Sequence, residues 1–172
     1  GEPLVSACRK CPDLIVVPPD YSLYVRASRA LMKLLERYSD QIIPYSIDEA
    51  WVILEGFGRL YGREQMVNLA WQMKEEIRDR LGFTVNIGVS TNLLLAKMAG
   101  ELSKPDRVHT LFEEEIEKKM WPLPVSELFM AGSAMSSRLE RLGIRTIGEL
   151  ARADSAFIRS QLKRPGEILR NY

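Results

Sequence analysis

The chain alternates between apolar runs of strand length and stretches in which apolar residues recur at helical spacing. Short apolar runs predict strands in five places: residues 14–17, 42–46, 50–54, 83–89 and 107–111. Apolar residues three and four positions apart predict three helices: residues 20–38, 63–81 and 91–102. This order of elements predicts an α+β fold in which helices pack on a mainly antiparallel sheet.

Several of these elements carry residues that mark their ends. Asp20 is placed to cap the first predicted helix, and Gly82 is placed to end the helix over 63–81. Ser90 or Thr91 can cap the helix over 91–102. The glycine-rich segment 56–62 predicts the turn into the long helix. The two predicted strands at 42–46 and 50–54 are expected to form an antiparallel hairpin.

After Pro105 the pattern changes to short helices, which predicts a small helical module from about residue 123. Residues 136–142 form a helical pattern that Gly143 can end, and residues 146–149 form a capping box that opens another helix. This arrangement is typical of a helix–hairpin–helix. Such hairpins usually carry two glycines, and Met130 stands where the first is expected.

The turn before the first of these helices can offer backbone N–H groups to a DNA phosphate. Gly132 and Ser133 lie in that turn, and Arg138 adds positive charge nearby. Any such contact is predicted to be independent of base sequence and sensitive to salt. A purely structural corner of two helices is the alternative interpretation.

Composition indicates an ordinary folded domain, alone or with a small appendage. The 172 residues are 46% hydrophobic and 27% charged, which excludes intrinsic disorder, and no apolar run reaches the length of a membrane helix. The net charge is only +1, but residues 137–172 hold 8 basic and 4 acidic side chains, a net charge of +4. A polyanion is therefore expected to contact the C-terminal end.

Cysteine usage and the first residue bear on location and completeness. Cys8 and Cys11 have no second pair of Cys or His to complete a zinc site, so we expect two buried or half-buried thiols and a reducing cytoplasm. His109, the one histidine, lies in no recognisable triad motif. The chain starts with Gly1 rather than Met, which is typical of a fragment or a processed product.

Asp48 and Glu49 are the main candidates for chemistry. They fall between two strand-like runs, and a turn is the place where adjacent carboxylates can share a site. Two hard oxygen ligands suit Mg²⁺, which keeps several waters and is completed by substrate phosphates. The alternative is a pair of solvated turn residues.

Lys97 and Lys104 are the candidates for binding a polyphosphate. They are seven residues apart, so two helical turns bring them to nearly the same side. Pro105 ends the helix and leaves Lys104 at its terminus. The alternative is a solvated helix face whose lysines provide solubility.

Two motifs in combination resemble the Y-family translesion DNA polymerases, the group that contains DNA polymerase IV and UmuC-like proteins. They are YSIDEA at residues 45–50 and GVSTNLLLAKMAGELSKPD at residues 88–106. The similarity extends upstream to residues 11–24 and downstream to residues 127–151, so it covers nearly the whole chain.

The resemblance implies a palm over residues 1–104 and a thumb over residues 105–172. Asp48 and Glu49 would be two of three carboxylates that hold two Mg²⁺ ions, and Ser46 would sit near the primer end. Lys104 matches the lysine that contacts the incoming triphosphate, with Lys97 as a second candidate. The implied partners are primer–template DNA, a deoxynucleoside triphosphate and, through regions outside this chain, a sliding clamp, with no membrane.

The departures from the family pattern matter equally. The family's first metal-binding aspartate, its aromatic steric gate and its fingers precede the region matched here, and neither Asp13 nor Asp20 matches that aspartate. The family's little finger would lie beyond Tyr172. We therefore expect this chain alone to be unable to polymerise DNA. The alternatives are a non-catalytic DNA-binding scaffold that keeps the palm shape, or another palm-like enzyme such as a nucleotide cyclase.

Overall fold

The fold was analysed in a computed structural model that describes residues 2–171. Eight α-helices are described, and their bounds are α1 Leu4–Lys10, α2 Tyr21–Leu35, α3 Phe57–Leu81, α4 Leu93–Glu101, α5 Ile116–Lys119, α6 Ser133–Arg141, α7 Ile147–Arg152 and α8 Ser155–Arg170. Four strands are described in the same residues: β1 Ile42–Pro44, β2 Ala50–Val52, β3 Ile87–Val89 and β4 Val108–Thr110. Single 3₁₀ turns lie at Glu113–Glu115 and Val125–Glu127. The α+β class is confirmed.

The strands form two pairs of opposite sense. β1 and β2 are antiparallel, with Ile43 opposite Trp51, so the predicted hairpin is confirmed. β3 and β4 are parallel, with Gly88 opposite His109, and helix α4 connects them. The described strands are thus antiparallel in one pair and parallel in the other, and each is shorter than its apolar run predicts.

The predicted strand at residues 14–17 is wrong. The segment has no regular structure, its side chains are exposed, and Ile15 is 85% exposed. A strand needs a hydrogen-bonded neighbour, and no segment within residues 2–171 pairs with this one. The apolar run therefore has the composition of a strand but no neighbouring strand with which to form hydrogen bonds in the described residues.

The expectation of buried or half-buried thiols is also wrong, because Cys8 and Cys11 are both exposed. Cys8 lies on α1, a helix with no buried residue, and Cys11 is the residue that follows its end. The pattern of the first ten residues did not predict this helix, whose apolar side chains Leu4 and Val5 face solvent.

The ends of two long helices follow the predicted capping residues. The Asp20 carboxylate accepts a hydrogen bond from the Leu23 N–H at 2.9 Å and opens α2, and Gly82 ends α3 with a φ of 76°. Helix α3 nevertheless starts earlier than predicted, at Phe57, and is interrupted at Gly62, where φ is 84°. The glycine-rich segment is therefore largely helical and kinked, where a simple turn was predicted.

The start of α4 corrects another prediction. Asn92 caps this helix by accepting a hydrogen bond from the Leu95 N–H at 2.8 Å, so Ser90 and Thr91 do not cap it. The Ser90 hydroxyl is used elsewhere, since it donates to the carbonyl oxygen of Leu111 at 2.5 Å. The hydroxyl thereby ties the end of β3 to the residue that follows β4.

Helix α4 lies very close to β3. A Cβ added to Gly88 would lie 1.9 Å from the Ala96 carbonyl oxygen and 2.5 Å from the Gly100 nitrogen. Only glycine allows the two backbones to approach this closely. This contact fixes the position of α4, which carries Lys97, against the sheet.

The buried apolar side chains of residues 2–171 form three clusters. The largest joins α4 to the C-terminal helices, since Met98 and Ala99 share it with Leu139 and Ile158. A second lies between α2 and α3 around Leu34 and Ile77, and a third includes Phe112. The boundary between residues 104 and 105 stays a prediction; the largest core and the β3–β4 pair both include residues from either side of it.

Candidate active site at the β1–β2 turn and helix α4

The turn between β1 and β2 presents the two candidate carboxylates. The backbone N–H groups of Tyr45 and Ser46 both donate to the carbonyl oxygen of Glu49, at 2.8 Å and 3.1 Å, and close the turn. The Ser46 hydroxyl donates to Oδ1 of Asp48 at 2.7 Å. Ser46 therefore orients the exposed Asp48 carboxylate.

Glu49 belongs to a line of four alternating charges, which we call the ion-pair chain: Glu49, Lys97, Glu101 and Lys104. The Lys97 ammonium donates to Oε1 of Glu49 and, at 3.1 Å, to Oε1 of Glu101. The other oxygen of Glu101, Oε2, pairs with the Lys104 ammonium at 2.7 Å. The two lysines singled out from spacing are thus brought onto one carboxylate.

The pKa directions of Lys97 and Glu101 agree with charged side chains. Partial burial alone would lower the pKa of Lys97, but its hydrogen bonds to Glu49 and Glu101 outweigh burial and raise that pKa. Burial alone would raise the pKa of Glu101, yet hydrogen bonds from Lys104 and Lys97 outweigh it and lower that pKa. At neutral pH Lys97 and Glu101 therefore form an ion pair.

A cleft of about 1130 Å³ lies between β2 and β3, and both strands line it. Asp48, Glu49, Lys97 and Lys104 all line this cleft, together with apolar side chains such as Ile77. Ser46 is not among its lining residues and joins the site through its hydrogen bond to Asp48. The cleft thus gathers the two carboxylates and the two lysines of the sequence prediction on one concave surface.

Asp48 and Glu49 are the residues of this turn that could hold a divalent cation. Asp48 and Glu49 supply the hard oxygen donors that Mg²⁺ prefers. The Lys97 ammonium forms an ion pair with Glu49, so a positive charge is already bound to this carboxylate. Within residues 2–171, no group of three or more His, Cys, Asp or Glu side chains is placed to hold a metal. Asp48 and Glu49 are therefore candidates for part of a larger ligand set.

Aromatic rings connect the turn to its surroundings. The Tyr45 ring lies edge-on to Trp51, with centroids 5.0 Å apart, and to Phe129, with centroids 5.8 Å apart. The Trp51 indole donates to the carbonyl oxygen of Leu93 at 3.2 Å. The carboxylate turn therefore contacts both the start of α4 and the loop before α6.

Comparison with known proteins identifies the family. The profile of the family described as impB/mucB/samB matches residues 1–101, more than half of the chain. This chain belongs to that family, the Y-family DNA polymerases. Among curated relatives, DNA polymerase IV of Clostridium acetobutylicum is 48% identical over 172 residues, and DNA polymerase IV of Moorella thermoacetica is 40% identical over 141 residues.

The Y-family relatives are longer proteins. The match covers 100% of this chain and 43% of the Clostridium acetobutylicum protein, and 82% of this chain and 35% of the Moorella thermoacetica protein. The chain thus spans less than half the length of these curated relatives.

Solved structures of Y-family polymerases have the same fold. DinB from Sulfolobus solfataricus superimposes with a TM-score of 0.86 at 27% identity, covering 99% of this chain and 51% of that one. The insertion ternary complex of Dbh DNA polymerase gives a TM-score of 0.84 at 29% identity, covering 98% of this chain and 49% of that one.

The predicted DNA-contacting residues lie around the loop that opens α6. Gly132 is the residue before this helix, and Ser133 is its first residue, with both exposed. Arg138 lies on the same helix, but its guanidinium donates to the carbonyl oxygen of Gln161 on α8 at 2.9 Å. Arg138 thus ties two helices together as well as supplying charge.

Met130, which stands where the first hairpin glycine is expected, adopts a backbone conformation that favours glycine. Its φ is 73°, in the left-handed region, and its side chain is 62% exposed. The buried Ser136 hydroxyl donates to the carbonyl oxygens of Ala131 and Gly132, at 3.0 Å and 3.1 Å, and fixes the loop. The loop before α6 thus holds a left-handed backbone conformation at a residue that carries a side chain.

Sequence reasoning missed Glu101 and Lys74. Glu101 lies four residues after Lys97 and three before Lys104, a helical spacing from which both ion pairs could have been found. Lys74 is only 2% exposed and pairs with Asp106 at 2.7 Å, just beyond Lys104. The hydrogen bond to Asp106 is the main cause that raises the pKa of Lys74. No sequence signal distinguishes Lys74 from a solvated lysine.

None of the helices described within residues 2–171 combines the length and the apolar character needed to cross a lipid bilayer.

Proposed function

We propose that this chain is the palm–thumb portion of a translesion DNA polymerase that transfers a nucleotide to a primer 3′-OH on a DNA template. The observation that carries the proposal is that Asp48, Glu49, Lys97 and Lys104 line one cleft. Phosphoryl-type transfer depends mainly on placement and charge neutralisation, so two carboxylates facing two lysines are suited to it.

In this proposal Asp48 and Glu49 hold divalent cations, which we take to be two Mg²⁺ ions with a third carboxylate supplied from outside the chain. When bound, the cations stabilise the attacking primer oxygen and the leaving pyrophosphate. Ser46 orients the Asp48 carboxylate through its hydrogen bond of 2.7 Å. Lys104, which follows the end of α4, contacts the triphosphate, with Lys97 as the second candidate.

We further propose that residues 1–104 are an incomplete palm, residues 105–172 are the thumb, and the chain alone is inactive. The open cleft supports an incomplete palm. β2 and β3 are each the edge strand of a two-stranded sheet, and both line this cleft together with apolar side chains. Unpaired strand edges of this kind can pair with a further strand. The proposed inactivity is supported by the turn, which presents two carboxylates where the proposed mechanism uses three. A sliding clamp as partner and a cytoplasmic location stay predictions.

The proposed thumb contact involves a phosphate and the start of α6. The first N–H groups of a helix lack partners within the helix, and they favour an anion. Gly132 and Ser133 present this end at the surface, and the surrounding residues 137–172 carry a net charge of +4. These features support primer–template DNA as the ligand.

Replacing Ser133 with Glu tests this contact. The added carboxylate suits the helix start and keeps α6 folded, but it repels a phosphate at the same N–H groups. We expect the affinity for a fluorescently labelled primer–template duplex, measured by anisotropy, to fall about tenfold, since a charge-assisted hydrogen bond is lost. Binding is also expected to weaken as salt rises.

Ser155→Glu is the matched control, because Ser155 is the exposed first residue of another helix, α8. It makes the same change in net charge at a different helix start and is expected to leave duplex affinity within about twofold of the unchanged chain, because salt screens a single exposed charge that does not contact the phosphate. Equal losses in both variants would contradict a phosphate contact at Ser133.

A further inference from the structure

The ion-pair chain connects the proposed cation site to the proposed triphosphate site. Glu101 is its shared centre, because its two oxygens accept from different lysines: Oε1 from Lys97 at 3.1 Å and Oε2 from Lys104 at 2.7 Å. Lys97 is in turn shared between Glu101 and Glu49. A change of charge at Glu49 therefore acts on Lys97 directly and on Lys104 through Glu101.

A divalent cation at Glu49 competes with the Lys97 ammonium. The cation draws on the same carboxylate charge and repels the ammonium across a short distance. Lys97 already has a second partner, Glu101, one helical turn away. Its ammonium group can therefore leave Glu49 and pair with Glu101 alone while it stays in the cleft.

The single negative charge of Glu101 is then the partner of two lysine side chains. The exposure of each lysine decides which of the two ion pairs breaks. The Lys97 side chain is 19% exposed and sits within the cleft, whereas the Lys104 side chain is 54% exposed and follows the end of α4. Lys104 is therefore the member of the ion-pair chain that can move into solvent at the lowest cost.

We propose that Glu101 is a positioning residue: it holds Lys104 while Glu49 is paired with Lys97, and it releases Lys104 toward a triphosphate when a divalent cation binds at Glu49. This inference rests on the proposed function, since it assigns the cation to Glu49 and the triphosphate to Lys104. Its new content is the coupling between the two sites and the role of Glu101 in it.

A direct consequence concerns binding without metal. In the presence of EDTA a triphosphate must compete with Glu101 for Lys104, so removal of the Glu101 charge strengthens triphosphate binding. We expect Glu101→Gln to bind dATP about two- to fivefold more tightly than the unchanged chain in a calorimetric titration with EDTA, the strength of an exposed ion pair. Lys104→Gln is expected to bind it more weakly.

The control for this titration is Glu117→Gln, which removes an exposed carboxylate outside the ion-pair chain. It is expected to leave dATP affinity unchanged. If Lys104→Gln binds dATP as the unchanged chain does, the proposed role of Lys104 fails. If Lys104→Gln weakens binding but Glu101→Gln leaves it unchanged, the role of Glu101 is overturned while that of Lys104 stands.

The coupling itself is tested by NMR of ¹³C-methylated lysines, a modification that keeps the ammonium charge. Lys97→Arg and Lys104→Arg variants assign the two signals, and Mg²⁺ is the titrant. We expect the chemical shifts of both lysine signals to change at the same Mg²⁺ concentration. The Lys104 signal is expected to move toward the chemical shift of a solvated lysine. In Glu49→Gln neither is expected to respond to Mg²⁺.

Each result of this titration decides the inference. A Lys97 signal that moves while the Lys104 signal stays still overturns the coupling but keeps a cation at Glu49. A Lys104 response that persists in Glu49→Gln overturns it too, since the cation then acts elsewhere. Absence of any response at either lysine overturns the inference; the proposed function is then decided by primer extension, which does not depend on the coupling.

Discussion

At the scale of single residues, Tyr38 is bound to a carboxylate that joins two helices. Its hydroxyl donates to Oε2 of Glu76 at 2.5 Å, and Arg37 and Arg80 pair with the other oxygen. Partial burial, followed by the hydrogen bond and the negative charge of Glu76, raises the pKa of Tyr38 to about 12. The phenol thus helps to hold the end of α2 against α3.

This pKa predicts a loss of stability at high pH. The folded state holds the Tyr38 proton more tightly than the unfolded state, whose pKa is the ordinary 10.0. The contribution to stability is therefore complete below pH 10 and declines as pH rises toward 12. Urea unfolding followed by circular dichroism is expected to show a smaller decline over this range in Tyr38→Phe. An equal decline in both proteins would contradict the raised pKa.

Met130 provides a second test at this scale, because its φ of 73° is costly for a residue with a side chain. We expect Met130→Gly to increase the free energy of unfolding by about 0.5–1 kcal/mol, after the greater freedom of glycine in the unfolded chain offsets part of the gain. Little packing is lost, since Met130 is largely exposed.

The same substitution in a helix is the control for Met130. Met135→Gly, within α6, is expected to lower the free energy of unfolding by about 1 kcal/mol or more. Urea denaturation midpoints measure both changes. Destabilisation by Met130→Gly would show that its backbone conformation carries no strain.

At the scale of elements, the close approach of β3 and α4 determines where the charged groups meet. Gly88→Ala would place a Cβ 1.9 Å from the Ala96 carbonyl oxygen, and a backbone atom cannot move aside as a side chain can. We expect the variant to lose about 3 kcal/mol or more of unfolding free energy, at the upper end of the cost of overpacking.

Gly100→Ala is the matched control on the facing helix. Its Cβ would lie 3.5 Å from the Gly88 nitrogen, an ordinary contact, and alanine favours a helix. Its thermal unfolding midpoint is expected to equal or exceed that of the unchanged chain. A Gly88→Ala variant as stable as Gly100→Ala would contradict the close packing.

Elements with local signals were predictable from the sequence, and those that depend on distant partners were not. The Asp20 cap and the Gly82 end are decided within a few residues, and both are confirmed. The run at 14–17 has strand composition but no partner within residues 2–171. The parallel pairing of β3 with β4 depends on the path of α4 between them, which apolar periodicity does not encode.

At the scale of the whole molecule, the sequence identified most of the candidate site but not its internal pairing. Asp48, Glu49, Lys97 and Lys104 were singled out by residue type and spacing, and all line one cleft. The contact between Lys97 and Glu49 joins residues 48 positions apart and depends on the close packing of α4 against β3, so no local sequence pattern predicts it.

Primer extension by a chimera tests the central claim most directly. In it, this chain replaces the matching 43% of the DNA polymerase IV from Clostridium acetobutylicum, which supplies the rest. We predict that the chimera extends a primer and that Asp48→Asn and Glu49→Gln each reduce the rate by about 100-fold or more, since each removes a metal ligand. Glu117→Gln is expected to extend at the unchanged rate. An active chimera in which both carboxylate variants extend as fast as Glu117→Gln would contradict the account.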